Sequence, residues 1–459
     1  MPALVACPPS WKGEVIMTTF KRFLALTLTG AMLAGAVGCA PAGHSASGSV
    51  QEPSSVSQTR QMISRDPVYP TALAADDYEG RANQREQNQA DDAFLAGLSD
   101  FSARSAGIIL SGQEGNVCYS PLSLSMALSL LTAGTGGDSQ AQLLSALGME
   151  GQDIQWLAQQ NGTLLRYLWR EDENGGLKLA NSLWVDQDAL LKEEYADLAA
   201  EEFYAASREV DFSSGDVAAQ MSQWISDQTN GLLKPDLSTD PDQLLAIINT
   251  LYFKDSWREP FAAQATTTET FTTGDGRQVQ ADFLNGVFTG HSYAKGEGYI
   301  KTALPFAGGS QMILILPDEG VSPSDLLENP DVAAQLFSAE MDQPADVTLA
   351  CPKFSFDTTL DLVEAMKAMG VTDIFGDQAD LSGMLEQSAY VSSIQQGTHV
   401  AVDENGAEAA AYTSIGINAM SAPLPLEQVT IRLDRPFIFA INSDNGVQLF
   451  TGIVSDPTA

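Results

Sequence analysis

At 459 residues the chain is long enough for about three average domains or one large α+β domain, and its 44% hydrophobic and 8% aromatic content supports a sizeable core. With 59 acidic and 23 basic residues the net charge is −36, which repels nucleic acid and anionic lipid and leaves no basic stripe for phosphates. Solubility is the simple reading of that surface, and a cationic partner the alternative.

Residues 1–16 precede what reads as a complete export signal and are expected to be a mis-assigned start, with Met17 the first residue. Lys21 and Arg22 supply a basic beginning, and Phe23 to Val37 is apolar and small up to Gly38-Cys39. That run is too short for a membrane span and leads into a polar stretch, so 17–38 reads as a signal peptide. Ala36-Val37-Gly38-Cys39 resembles a bacterial lipobox, in which the cysteine becomes the acylated N-terminus; Ala36 departs from the usual aliphatic residue. An ordinary signal with an incidental Cys39 is the alternative. Residues 39–90 are rich in Ser, Gln, Ala, Asp and Pro without apolar periodicity, and read as a flexible tether with a reach of roughly 40 Å.

The globular part is expected over residues 91–459. Phe94, Leu98 and Phe101 recur at helical spacing, and Asn116 to Tyr119 is a short strand. Ser120 as N-cap with Pro121 in the first turn starts a helix, and a second helix after Asp138-Ser139 stops at Gly148. Leu177 to Val185 alternates as a strand, and Glu193 to Phe203 is a helix. Leu245 to Trp257 is a nearly continuous apolar run, the pattern of a strand buried on both faces, in which polar Asn249 requires hydrogen-bond partners. Thr266 to Phe283 is a hairpin about Gly274-Asp275-Gly276. Tyr299 to Leu304 and Gln311 to Leu316 are paired strands, Val347 to Phe356 is a strand, and Leu360 to Met369 is a helix closed by Gly370. Cys118 and Cys351 are expected to be buried free thiols.

Between Asp403 and Pro423 lies a stretch too long for an ordinary connection, followed by strands Val429 to Leu433 and Phe437 to Ile441. After Gly406, Ala407, Ala409, Ala411, Thr413, Ile415 and Ile417 fall on one face of an extended chain, and Glu408, Ala410, Tyr412 and Ser414 on the other. A strand-like segment of small residues, placed as a loop, has two conformations open to it, and Gly406 supplies a hinge. An Ala-rich helix pairing Glu404 with Glu408 is the alternative on composition alone.

The sequence Asp403-Glu404-Asn405-Gly406-Ala407-Glu408-Ala409-Ala410-Ala411 resembles the reactive-loop hinge of serpins, and the elements from Asp91 to Pro457 follow that family in order. The resemblance implies an α+β serpin fold: a large, mostly antiparallel central sheet, additional sheets, about eight to nine helices and an exposed loop. It assigns Ser120, Ser123, Asn249 and Gln396 to a shutter beneath the sheet and Trp257 to the breach where the loop enters. Gln396 stands where many relatives carry a histidine, with His399 offset and read as structural. Counted from Glu404 at the family's spacing, the reactive bond joins Met420 and Ser421; counted back from Arg435-Pro436-Phe437 it falls near Pro425.

No enzymatic constellation stands out. The three histidines, at 44, 291 and 399, make no zinc-binding pair at helix spacing, and there is neither a nucleophile elbow nor a phosphate loop. No cofactor or metal is expected. The serpin resemblance implies a monomeric suicide substrate that forms a covalent complex with a serine protease, and the lipobox resemblance implies a lipid anchor at Cys39. Met420 suits elastase-, chymotrypsin- or subtilisin-like pockets. A non-inhibitory binding module and a cross-class inhibitor of cysteine proteases are the alternatives.

Overall fold

The computed structural model describes residues 62–111, 113–172, 175–407 and 426–459. The chain begins with β1 (Ser64–Arg65), α1 (Tyr78–Gln87), α2 (Asp92–Leu110) and β2 (Val117–Tyr119). Three helices follow, α3 (Pro121–Ala133), α4 (Gly137–Ala146) and α5 (Ile154–Leu168). Strands and helices then alternate as β3 (Arg170–Asp172), β4 (Gly175–Asp186), α6 (Glu193–Glu202), β5 (Ala205–Val210), α7 (Val217–Gln228) and β6 (Leu245–Ser256). Next come β7 (Thr267–Thr272), β8 (Gln278–Gly296), β9 (Tyr299–Pro305), β10 (Gln311–Pro317), α8 (Pro323–Leu327) and α9 (Pro330–Phe337). The last part holds β11 (Gln343–Pro352), β12 (Phe354–Asp361), α10 (Val363–Ala368), β13 (Gln395–Val402) and β14 (Gly406–Ala407). It ends with β15 (Glu427–Arg432), β16 (Phe437–Asn442) and β17 (Gln448–Val454).

The central sheet runs β1-β5-β4-β6-β14-β13-β12 with β3 added on β4, and every pair in it is antiparallel except β4 with β5. A second sheet runs β15-β11-β8-β9-β10-β16-β17-β2, with β7 on β8. The described residues hold ten α-helices, eight of them of eight residues or more. This is the α+β layout expected from the sequence. β16 and β17 are buried along their whole length, and β16 accordingly reads as an apolar run up to Asn442. α3 lies under the central sheet with most of its residues buried, and its start is fixed by the Ser120 hydroxyl, which accepts from the Ser123 amide at 3.1 Å. Cys118 and Cys351 are free and buried, as expected; burial pushes the Cys118 thiol up to about 12 and raises that of Cys351 further.

Three expectations are corrected. The tether assigned to 39–90 is not loose over its second half: β1 pairs with β5, and the amide of buried Ile63 donates to Glu209 Oε2 at 2.6 Å. Tyr69 stacks on Trp169 at 4.8 Å, and α1 docks through Gln84, which donates to the carbonyls of Arg166 and Trp169, and through Arg85 with Asp444. α1 buries no residue and is held by polar side chains, so it leaves no apolar period to read. The single strand expected over Val347 to Phe356 is two strands in two sheets, β11 and β12, parting at Lys353. The helix expected from Leu360 starts later, because β12 runs through Asp361, whose carboxylate then accepts from the Val363 amide at 3.0 Å.

Candidate functional site

Among the described residues, β14 alone stands between β6 and β13, at one end of a slot in the central sheet. Gly406 and Ala407 pair antiparallel with Ser256 and Asp255 of β6, and Ala407 also pairs with Val402 of β13. Among the described residues no ladder joins β6 to β13 directly. Being antiparallel to the same strand, β6 and β13 run parallel to each other, and their facing edges offer backbone donors and acceptors to an intervening strand.

The chain entering the slot is tightly anchored. The Trp257 indole donates to the Asp403 carbonyl at 2.9 Å, its amide to the Asn405 carbonyl at 2.7 Å, and the Phe261 amide to the Glu404 carbonyl at 2.9 Å. Trp257 stacks on Phe306 with ring centroids 4.5 Å apart and meets the edge of Phe261. Asp403 Oδ1 accepts from the amides of Asn405 and Gly406, closing the turn before β14. Glu404 reaches Lys353 Nζ at 2.8 Å and accepts from Thr266 Oγ1 at 2.9 Å. Burial pushes the Glu404 carboxyl up, but hydrogen bonds from Lys353, the backbone and Thr266, with the lysine's charge, hold it below its usual range. The hydrogen bond to Glu404 in turn raises Lys353. Opposite Ala407, buried Asp255 meets Arg170 at 3.0 Å and accepts from the Gly308 amide; burial pushes its carboxyl up, against the pull of Arg170.

Farther down the slot, two side chains tie its walls to the start of α3. From β13, Gln396 Oε1 accepts from the Ser120 amide at 2.7 Å while its Nε2 donates to the Ser120 carbonyl at 3.0 Å. From β6, Asn249 accepts from the Ser123 hydroxyl and donates to Asn181, which donates to the Phe203 carbonyl at 2.7 Å. Ser120, Ser123, Asn249 and Gln396, scattered over the sequence, are thus one polar layer beneath the slot, and Trp257, Glu404, Gly406 and Ala407 stand together at its mouth. Glu408, Ala409, Ala410, Ala411, Met420, Ser421 and Cys39 lie outside the described residues.

Sequence reading missed Lys353, Thr266, Asn181 and the Arg170–Asp255 pair. Lys353 sat in a stretch read as continuous strand, and its role depends on two sheets parting there. His399 bonds Asp357 across β12 and β13 rather than joining the polar layer, and His291 lies on β8 in the second sheet.

The family model described as "Serpin (serine protease inhibitor)" matches residues 96–457. Among curated proteins the chain is 32% identical to Serpin-Z2B of Triticum aestivum, over 79% of this chain and 96% of that one. It is 31% identical to neuroserpin of Homo sapiens, over 76% and 87% of the two chains. Among solved structures it resembles the thermophilic serpin tengpin in its native state, with TM-score 0.73 and 25% identity over 86% of this chain and all of that one. It also resembles Arabidopsis AtSerpin1 in its native stressed conformation, with TM-score 0.71 and 26% identity over 81% of this chain and all of that one. Two sheets, a strand slot with an anchored hinge and a collinear match across the domain all agree: the chain belongs to the serpin family.

Proposed function

We propose that this serpin is a suicide-substrate inhibitor of serine proteases with Met420-Ser421 as its reactive bond. The target's serine attacks the Met420 carbonyl, the bond to Ser421 breaks, the new amine takes the proton, and an ester joins Met420 to the enzyme. The freed loop then enters the slot as a strand, carrying the acylated enzyme with it and distorting the enzyme's site before water can hydrolyse the ester.

The observation that carries this reading is the start of β14. Ala407 pairs with Asp255 of β6 and Val402 of β13, and a strand continuing that register would turn Ala409, Ala411 and Thr413 to the same inward face as Ala407. All three inward positions are small, so insertion meets no side-chain clash. New ladder bonds along both slot edges supply the driving force.

The full chain, incubated with elastase- and chymotrypsin-type enzymes, is expected to give a denaturant-resistant adduct and a released peptide beginning at Ser421. Ala409→Arg should abolish the adduct and leave cleavage intact, because a charged side chain cannot pass into the core. Inhibition surviving that substitution refutes insertion. Clean cleavage of the wild type without adduct would favour a non-inhibitory binding module, and an adduct with a cysteine protease would extend the target class.

The signal over 17–38, directly before Cys39, supports a secreted protein held at the cell surface by an acyl chain on that cysteine. Cys39→Ser should release it from membranes; retention there would count against the anchor.

A further inference from the structure

Where α1 lies on the body of the molecule it closes over a small cavity. The space is about 30 Å³ and sits where α1, the end of α5, β3 and the turns after β9 and β16 come together. About 10–15 Å³ is enough for one water, so a small ion fits and a sulfate or phosphate does not. Arg81 and Arg85 enter the wall from α1, and Arg170 from β3. Trp169, 9% exposed, lines the same space, and its indole N–H is buried with no acceptor among the described residues. Tyr69 stacks on that indole at 4.8 Å and holds its plane, so the N–H is fixed in place. A buried donor left without a partner is costly, which makes this group a pointer to an occupant.

The chemistry of the wall says what kind of occupant. Each guanidinium carries five N–H donors, and the contacts they make use only part of that set. Arg81 donates to the carbonyls of Ala74 and Ala75 and stands 3.9 Å from Asp172. Arg85 bonds Asp444 at 2.8 Å and reaches the Gly308 carbonyl at 3.4 Å. Arg170 donates to the Lys254 carbonyl at 3.1 Å and meets Asp255 at 3.0 Å. Two carboxylates share the wall with the three guanidiniums, and both are engaged, Glu171 by Lys178 and Asp444 by Arg85. The wall thus offers more donors than acceptors and more positive than negative charge, in a chain whose net charge is −36.

We propose that this cavity binds one small monovalent anion of the halide class, held by the Trp169 indole N–H and the guanidiniums of Arg81, Arg85 and Arg170. A water placed there must aim its own two hydrogens at acceptors, whereas a halide only accepts, and does so from several donors at once. The ion joins α1 to β3 and so fastens the N-terminal segment to the edge of the central sheet. It also lies close to the hinge. The Gly308 amide donates to Asp255, the residue opposite Ala407, and a Cβ at Gly308 would stand 1.3 Å from Arg170 Nη1. Only glycine there leaves Arg170 free to serve both Asp255 and the cavity.

The test is a set of thermal melts of the full chain in sodium chloride, sodium bromide and sodium isethionate, whose anion is too bulky for the cavity, at one fixed ionic strength so that screening is constant. Chloride and bromide should raise the melt saturably over isethionate, by about 2 °C at ten times the dissociation constant. Trp169→Phe, which keeps a ring against Tyr69 but has no N–H, and Arg85→Gln should each weaken that response at least tenfold. Arg104→Gln, whose partners are Asp100 and the Ala146 carbonyl, should keep it whole. Equal melts in chloride and isethionate would overturn the site, as would a Trp169→Phe protein with the full response. Should a variant fail to fold, wild-type crystals soaked in bromide decide. An anomalous peak within hydrogen-bond reach of Trp169 Nε1 supports the site. Bromide on exposed arginines alone, an adventitious ion only, or a water in the cavity overturns it.

Discussion

Gln396→Leu removes the clasp between β13 and the start of α3 while keeping nearly the same volume. Gln396 is 5% exposed, and its amide makes two hydrogen bonds to Ser120 backbone groups, at 2.7 and 3.0 Å. The Ser120 carbonyl keeps a partner, since the Leu124 amide donates to it at 3.1 Å, but the Ser120 amide is left buried without one. A typical hydrogen bond contributes about 1 kcal/mol net and an orphaned buried donor costs about 1–3 kcal/mol, so the loss should be about 2–3 kcal/mol. With a denaturant slope of about 3 kcal/mol/M, the urea midpoint of the uncleaved protein should fall by about 1 M. The assay is urea unfolding of the full chain by circular dichroism, with refolding checked at the midpoint. A shift under about 0.2 M, with the slope unchanged, would mean that Ser120 finds another partner and that the clasp does not hold the wall of the slot.

Asn249→Ala strips partners from both Ser123 and Asn181, two side chains that are 1% exposed, and should cost about 2–4 kcal/mol in the same urea assay; a loss below about 1 kcal/mol would show that the layer repairs itself. At the hinge, a Glu404 carboxyl held below its usual value stabilises the fold above that value, and the contribution is lost as pH falls through the lower folded one. Lys353→Met should therefore flatten the melting temperature of the uncleaved protein between about pH 5 and pH 3, and an unchanged acid slope would refute the pair's part in it. Deleting residues 1–61 should leave the melt as it is, whereas deleting 1–90 strips β1 and α1 from the edge, uncovers Trp169 and Tyr204, and should lower it by several degrees. Equal melts for the two deletions would show that this segment only lies on the surface.

Much of the site was legible because its chemistry is local. The pairing of Gly406 and Ala407 as a strand agrees with the small residues at alternate positions that begin there, a pattern that survives in one dimension because a strand has period two. Asn249 stood out as a polar residue in an apolar run, and Ser120-Pro121 as a helix start. Both signals arise within one turn or one strand.

What the sequence determined by itself is therefore the fold class and the polar residues that a buried strand must satisfy. Tertiary structure alone decided which groups those residues meet. Lys353 finds Glu404 because the chain changes sheet at that residue, and Gln396 finds Ser120 across 276 positions. α1 is held by side-chain contacts to α5 and to Asp444, with no apolar stripe of its own. Pairings of this kind depend on where the backbone returns in space, and periodicity carries no information about that.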